Sequence, residues 1–117
     1  MTVVAYVPNI FDRSRFDGKH RSRVRFVDDA AELVKLTPEL VIVDLDRCAD
    51  PASFTVSGNR TIGFGSHVDA EVLAEAVKLG FDEVLPRSRF FRQLPDILAD
   101  LTSQPQPPTG SLPSDES

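Results

Sequence analysis

Asp44 closes the run Leu40-Val-Ile-Val-Asp44, in which four apolar residues lead into a carboxylate. A carboxylate at the end of a buried strand can act as a nucleophile, but it can equally cap the next turn or pair with a cation such as Arg87. Lone carboxylates routinely take the second, structural role. The turn Gly63-Phe-Gly-Ser66 places small residues ahead of a helix, where exposed N–H groups can cradle an anion. It lacks the third glycine of a dinucleotide fingerprint and the lysine of a P-loop, so a tight turn capped by Ser66 is the simpler reading. His67 follows that turn. His20 is distant and Cys48 is the single cysteine, so no metal-ligand set is spaced for binding and His67 is read as a surface residue. No serine, histidine and acid combination has local support as a nucleophilic site, so nothing requires an enzyme and no cofactor is expected.

The strongest charge feature lies elsewhere. From Asp12 to Arg25, six basic residues (Arg13, Arg15, Lys19, Arg21, Arg23, Arg25) face two acidic ones, a local charge of +4. Residues 26–117 hold seven basic and sixteen acidic residues, a charge of -9. Arg13, Arg15, Arg21 and Arg23, with Ser66 and His67, are candidate phosphate or partner contacts, and Phe11 and Phe16 are candidate stacking groups. Because the remaining chain repels a polyanion, the run is better suited to contact with a protein than with nucleic acid.

These side chains need a frame to position them. Four apolar segments rich in valine and isoleucine, 2–7, 24–27, 40–44 and 61–64, and a weaker one at 82–85, run without polar alternation. Such runs fit strands covered on both faces, and hence a parallel sheet with helices between the strands. Asp29 and Glu32 are spaced as a capping box for a helix that Pro38 ends. Ser66 and Asp69 repeat that spacing ahead of Val68, Val72, Leu73, Ala76, Val77 and Leu79, with Gly80 placed for a left-handed cap. Phe90, Phe91, Leu94, Ile97, Leu98 and Leu101 form a last apolar stripe from Ser88, with a kink or restart expected near Gln93 or Leu94 because Pro95 lacks a backbone donor. Residues 9–19 offer about two turns around Ile10, Phe11 and Phe16, ended by Gly18. Residues 49–59 have room for a short helix or a loop.

At 117 residues the chain is one domain, with 41% hydrophobic and 26% charged residues as in ordinary globular proteins. The expected domain is residues 1–102. Residues 103–117, with four prolines, four serines and one large apolar residue, read as a flexible tail. No run is long enough to span a bilayer, Met1 is followed by Thr2, Val3 and Val4 without the basic and long apolar regions of a secretory signal, and one cysteine fits a reducing compartment. The expectation is a cytoplasmic protein.

The stretch Pro38-Glu-Leu-Val-Ile-Val-Asp-Leu-Asp46 resembles the third strand of a response-regulator receiver domain. Phe64-Gly-Ser-His-Val-Asp69, Gly80-Phe-Asp-Glu-Val-Leu-Pro-Arg-Ser88 and Phe90 are similar to the second half of such domains. The resemblance implies a doubly wound α/β fold with five parallel strands in the order 2-1-3-4-5 and helices on both faces, the first and third helices being shortened. It places Asp44 on the phosphoacceptor, Pro8 and Asn9 on the acidic pair that holds magnesium, Gly65 on the hydroxyl residue and Arg87 on the lysine. Proline and a neutral amide cannot replace the acidic pair, so the resemblance implies a degenerate pseudo-receiver in which Asp44 is a poor phosphoacceptor. Its expected role is non-catalytic regulation through a protein partner or a second copy. Receivers associate through the fourth helix, fifth strand and fifth helix, where Phe90, Phe91 and Arg92 offer aromatic and guanidinium anchors. The alternatives are a nucleotide or nucleic-acid phosphate binder using the basic run, and a working phosphoacceptor built on Asp12, Asp44 and Asp46.

Overall fold

Valine, isoleucine and leucine in unbroken runs can be buried only if both faces of each strand are covered, and the chain satisfies this with five strands. They are β1 (Val3–Tyr6), β2 (Val24–Phe26), β3 (Leu40–Asp44), β4 (Arg60–Gly65) and β5 (Glu83–Pro86). A computed structural model describes residues 2–16, 21–36, 38–55 and 60–103. All neighbouring strands pair in parallel in the order β2-β1-β3-β4-β5, with Val3 opposite Val24 and Leu40, Leu40 opposite Arg60, and Ile62 opposite Glu83. The fold is α/β with helices on both faces, as the sequence predicts.

The period of two along each strand sorts the core into two layers. Val3, Ala5, Leu40, Ile42, Ile62 and Phe64 point to one face, where they meet Phe16, Phe90, Phe91, Leu94 and Leu98. Val4, Val41 and Val43 point to the other, against Val27, Leu33, Phe54, Ala76 and Phe81. The helices are α1 (Ile10–Arg13), α2 (Leu33–Leu36), α3 (Ala70–Leu79) and α4 (Arg87–Ser103). The third connection contributes a single 3-10 turn, Pro51–Phe54, which drives Phe54 into the core beside Tyr6 at 5.1 Å between ring centroids.

Several helices differ from the sequence expectation. The first is one turn long instead of two; Asn9 caps it by accepting from the Phe11 and Asp12 N–H groups at 2.8 and 3.3 Å. Ile10 and Phe11 are exposed at 69% and 77%, whereas Phe16 joins the core and is lost as a stacking group. Asp29 does cap the second helical segment through the Ala31 N–H, but the chain opens as a 3-10 turn, Ala30–Glu32, before α2. The cap of α3 is Asp69, whose Oδ1 accepts from the Val72 N–H at 3.0 Å, and not Ser66. Gly80 ends α3 at φ 101°, a left-handed conformation that residues with a Cβ avoid. Helix α4 begins at Arg87 and continues through Pro95 without a restart, although the proline removes the hydrogen bond to the Phe91 carbonyl. It ends at Ser103, one residue into the segment read as tail. Gly18, Lys19, His20, residues 56–59 of the third connection and residues 104–117 lie outside the described residues.

Phe90 and Phe91 also need correcting as interface anchors. Phe90 is fully buried and stacks on Phe64 at 4.5 Å with planes 10° apart, and Phe91 meets Phe16 and Phe64 edge-on. Only Arg92 of the three faces solvent. Phe90→Ala is therefore expected to lower folding stability by about 3–5 kcal/mol, as aromatic truncation in a packed core does, and Arg92→Ala to change it by under about 0.5 kcal/mol. Paired urea melts measure both.

Candidate functional site

In a doubly wound sheet the strand order reverses between β1 and β3, and the crevice beyond their carboxyl ends is the usual ligand position. Here that edge carries an open, polar cleft of about 520 Å³ lined by Asn9, Phe11, Asp12, Asp46, Arg47, Ser66 and Arg87. The side chains arrive from the carboxyl ends of four strands. Asp12 comes from α1 after β1, Asp44 closes β3, Asp46 and Arg47 lie in the turn after it, Ser66 follows β4 and Arg87 opens α4 after β5.

The cleft is organised around the Arg87 guanidinium. Its Nη1 donates to Asp12 Oδ2 at 2.6 Å, and its Nη2 donates to Asp44 Oδ1 at 3.1 Å and to Asp46 Oδ2 at 2.9 Å. Asp44 is fully buried, and its other oxygen, Oδ2, accepts from Arg47 Nη1 at 3.2 Å. Asp44 Oδ1 also accepts from the Asp46 N–H at 3.1 Å, closing a turn on its own backbone. Arg47 Nη1 lies a further 3.9 Å from Asp12. The three aspartates considered as a cation seat are thus brought together, with a guanidinium between them. Among the described residues no group of three or more histidine, cysteine or acidic residues is arranged to hold a metal ion.

Asp46 carries the second half of the network. Its Oδ2 accepts from the Ser66 N–H at 2.9 Å and from Ser66 Oγ at 2.8 Å, as well as from Arg87. The Ser66 N–H and hydroxyl, which the sequence offered as candidate anion contacts, are therefore already bonded to a carboxylate of the chain itself. Gly65 leaves room for this approach: a Cβ there would sit 3.1 Å from Asp46 Oδ1, so the carboxylate would have to shift slightly. Burial alone would raise the Asp46 pKa, but the bonds from Arg87 and Ser66 outweigh it and hold the carboxyl below its ordinary value. Burial would likewise lower the Arg87 pKa, and the bonds to Asp46 and Asp12 with the charges of Asp44 and Asp12 reverse that. Half-burial pushes the Cys48 thiol up, which disfavours the thiolate that cysteine chemistry requires.

The other sequence candidates separate from this cluster. Pro8 is exposed, and Asn9 spends its side-chain oxygen on the α1 cap. His67 is exposed beyond Ser66 and is not part of the cleft wall. Arg13, Arg15, Arg21 and Arg23 do not line the cleft, so they are not assembled with Ser66 into one phosphate site; its basic residues are Arg47 and Arg87. Arg47 escaped the sequence reading. The signal present was a guanidinium three residues after Asp44, close enough to reach back once the chain turned.

The fold and cleft define a five-stranded, doubly wound α/β protein with an ion cluster at the switch in strand order. No protein-family model matches the chain, and no curated protein matches its sequence. No helix among the described residues is long and apolar enough to cross a membrane.

Two outcomes follow from the cluster. Arg87→Met leaves Asp44 buried with one guanidinium fewer and is expected to cost about 3 kcal/mol or more, much of it regained in the Arg87→Met, Asp44→Asn double variant. A double-mutant cycle by denaturant unfolding reads this directly. Because the folded pKa of Asp46 is depressed, its contribution to stability is complete above the ordinary carboxylate value and lost as pH falls through the lower folded one. Asp46→Asn should accordingly flatten the acid limb of stability below about pH 4, as followed by circular dichroism.

Proposed function

We propose that the chain is a receiver-like regulatory module that acts by protein contact, and that magnesium-dependent phosphorylation of Asp44 is not its mode of control. One observation supports this most: both oxygens of a fully buried Asp44 are engaged, by Arg87 and the Asp46 N–H on one side and by Arg47 on the other. Phosphoryl transfer to a carboxylate needs an open oxygen and a cation to screen two anions. Here a guanidinium already stands among the three carboxylates, and withdrawing it would leave Asp44 buried and undercompensated. The positions matched by resemblance to the magnesium-holding pair, Pro8 and Asn9, offer no carboxylate.

The contact face of this reading is α3, β5 and α4, the counterparts of the fourth helix, fifth strand and fifth helix, β5 being the edge of the sheet. Phe90 and Phe91 are buried there, so the anchoring falls to other residues. Ala70, Leu73, Ala74 and Val77 repeat at helical spacing on the exposed side of α3, with Val77 73% exposed. Glu71 and Glu75 flank them, and Arg89 and Arg92 are exposed on α4.

Incubation of the purified chain with acetyl phosphate and magnesium, followed by intact mass measurement, tests the reading. The expected result is an unmodified chain. A phosphoryl adduct that disappears in Asp44→Asn would refute it and restore the phosphoacceptor alternative.

A further inference from the structure

The basic run resolves into a row of guanidiniums laid over phenylalanine rings. The Cζ atoms of Arg13 and Arg21 lie 5.0 and 4.8 Å from the Phe26 centroid, and that of Arg15 lies 4.2 Å from the Phe91 centroid. Phe16 meets Phe26 at 5.3 Å and Phe91 at 5.7 Å, edge-on in both cases, so the rings form a continuous base under the three charges. Arg13 is held further by its Nε, which donates to the Val7 carbonyl at 2.6 Å, and Arg21 by Nη1, which donates to the Val24 carbonyl at 3.3 Å.

Fixing a guanidinium on a ring and a carbonyl removes much of the freedom it would otherwise lose on binding. Among the described residues the row has little counter-charge. Among the described residues its nearest carboxylate is Asp28, 3.8 Å from Arg13 and 94% exposed, a contact of little energetic weight. Neither Arg15 nor Arg21 has a carboxylate within ion-pair distance among the described residues, nor does the exposed Arg92 that follows Phe91.

We propose that the row of Arg13, Arg15 and Arg21 is a docking surface for an acidic segment of a partner protein, whose carboxylates complete the ion pairs that Arg15 and Arg21 lack among the described residues. Guanidinium forks match carboxylate geometry, and their number suits several closely spaced Asp or Glu side chains. Two observations favour a protein over a nucleic acid. The rings in the row are covered by arginines or buried, with Phe16 at 1% and Phe91 at 8% exposure, leaving no open face on which bases could stack. The charge of -9 over residues 26–117 also repels a long polyanion more than a short acidic segment. This surface is separate from the Asp44 cleft, and the inference holds whether or not Asp44 accepts a phosphoryl group.

The test uses the full chain and fluorescence anisotropy with a labelled peptide of alternating glutamate and glycine, compared with a thymidine oligonucleotide of equal formal charge. Saturable peptide binding that weakens with salt is expected, reduced about tenfold or more by Arg15→Glu with Arg21→Glu. Lys35→Glu with Lys78→Glu, on exposed residues away from the row, changes net charge equally and should leave most of the affinity. Arg15→Gln with Arg21→Gln, checked for folding by circular dichroism, repeats the loss without adding repulsion. Absence of peptide binding at low salt, equal losses in the two charge-reversed pairs, or tighter binding of the oligonucleotide would each overturn the proposal. So would sedimentation showing that the row is occupied by a second copy of the chain.

Discussion

One guanidinium ties the carboxyl edge of the sheet together. Arg87 bonds to Asp12, Asp44 and Asp46, partners 75, 43 and 41 residues away in sequence, so the full set of contacts exists only when β1, β3 and β5 have found their places. The burial of Asp44 makes this arrangement obligatory: a carboxylate with no exposure must be compensated, or the strand that carries it cannot enter the sheet charged. Such clusters bring little net stability, because desolvation offsets much of the attraction. Their effect is on geometry. With its two terminal nitrogens directed to separate carboxylates, Arg87 fixes the first turn of α4 against the turns following β1 and β3, and Asp46 passes that constraint on to Ser66 after β4.

The same constraint explains what was legible in the sequence. The strands were readable because burial on both faces demands unbroken apolar runs, and Leu40–Asp44 is an instance in which even the terminal carboxylate lies where the pattern places it. Helix ends were harder to read, since local spacing competes with distant partners. Ser66 and Asp69 have the spacing of a capping box, yet Ser66 is drawn to Asp46, 20 residues earlier, and the cap passes to Asp69. Aromatic side chains failed for a related reason. Residue type does not say which way a ring turns, and Phe90 goes into the core while Phe11, equally apolar, stays out at the cleft. The pairing of Asp44 with Arg87 was readable as an option because both close strands destined for the same edge. Arg47, which completes it, lies in a turn whose direction no local pattern specifies.

The uneven charge of the chain acquires a physical form in the fold. Three arginines of the basic run are spent on rings that are themselves part of one core layer, so this positive surface is anchored to the hydrophobic interior through Phe16, Phe26 and Phe91. Side chains that cover apolar rings with their cationic ends serve packing and charge display together. The cleft beside β1 and β3 is built on the opposite economy: its two guanidiniums are matched by three carboxylates, leaving one negative charge in excess.

That contrast bears on how the two regions can respond to a ligand. A binding event shifts a protein only if it favours one arrangement over another, and a group whose bonding capacity is already filled offers little to gain. In the cleft, an incoming anion would have to displace Asp46 from Ser66 and Arg87 while meeting the carboxylates of Asp12 and Asp44, and an incoming cation would have to displace Arg87 itself. On the arginine row, among the described residues only the exposed Asp28, 3.8 Å from Arg13, would have to yield, because rings and carbonyls hold the guanidiniums in place. Under the proposed reading the cleft is therefore the rigid part of the module, and a charged partner finds its unsatisfied interactions at the surface supported by Phe16, Phe26 and Phe91.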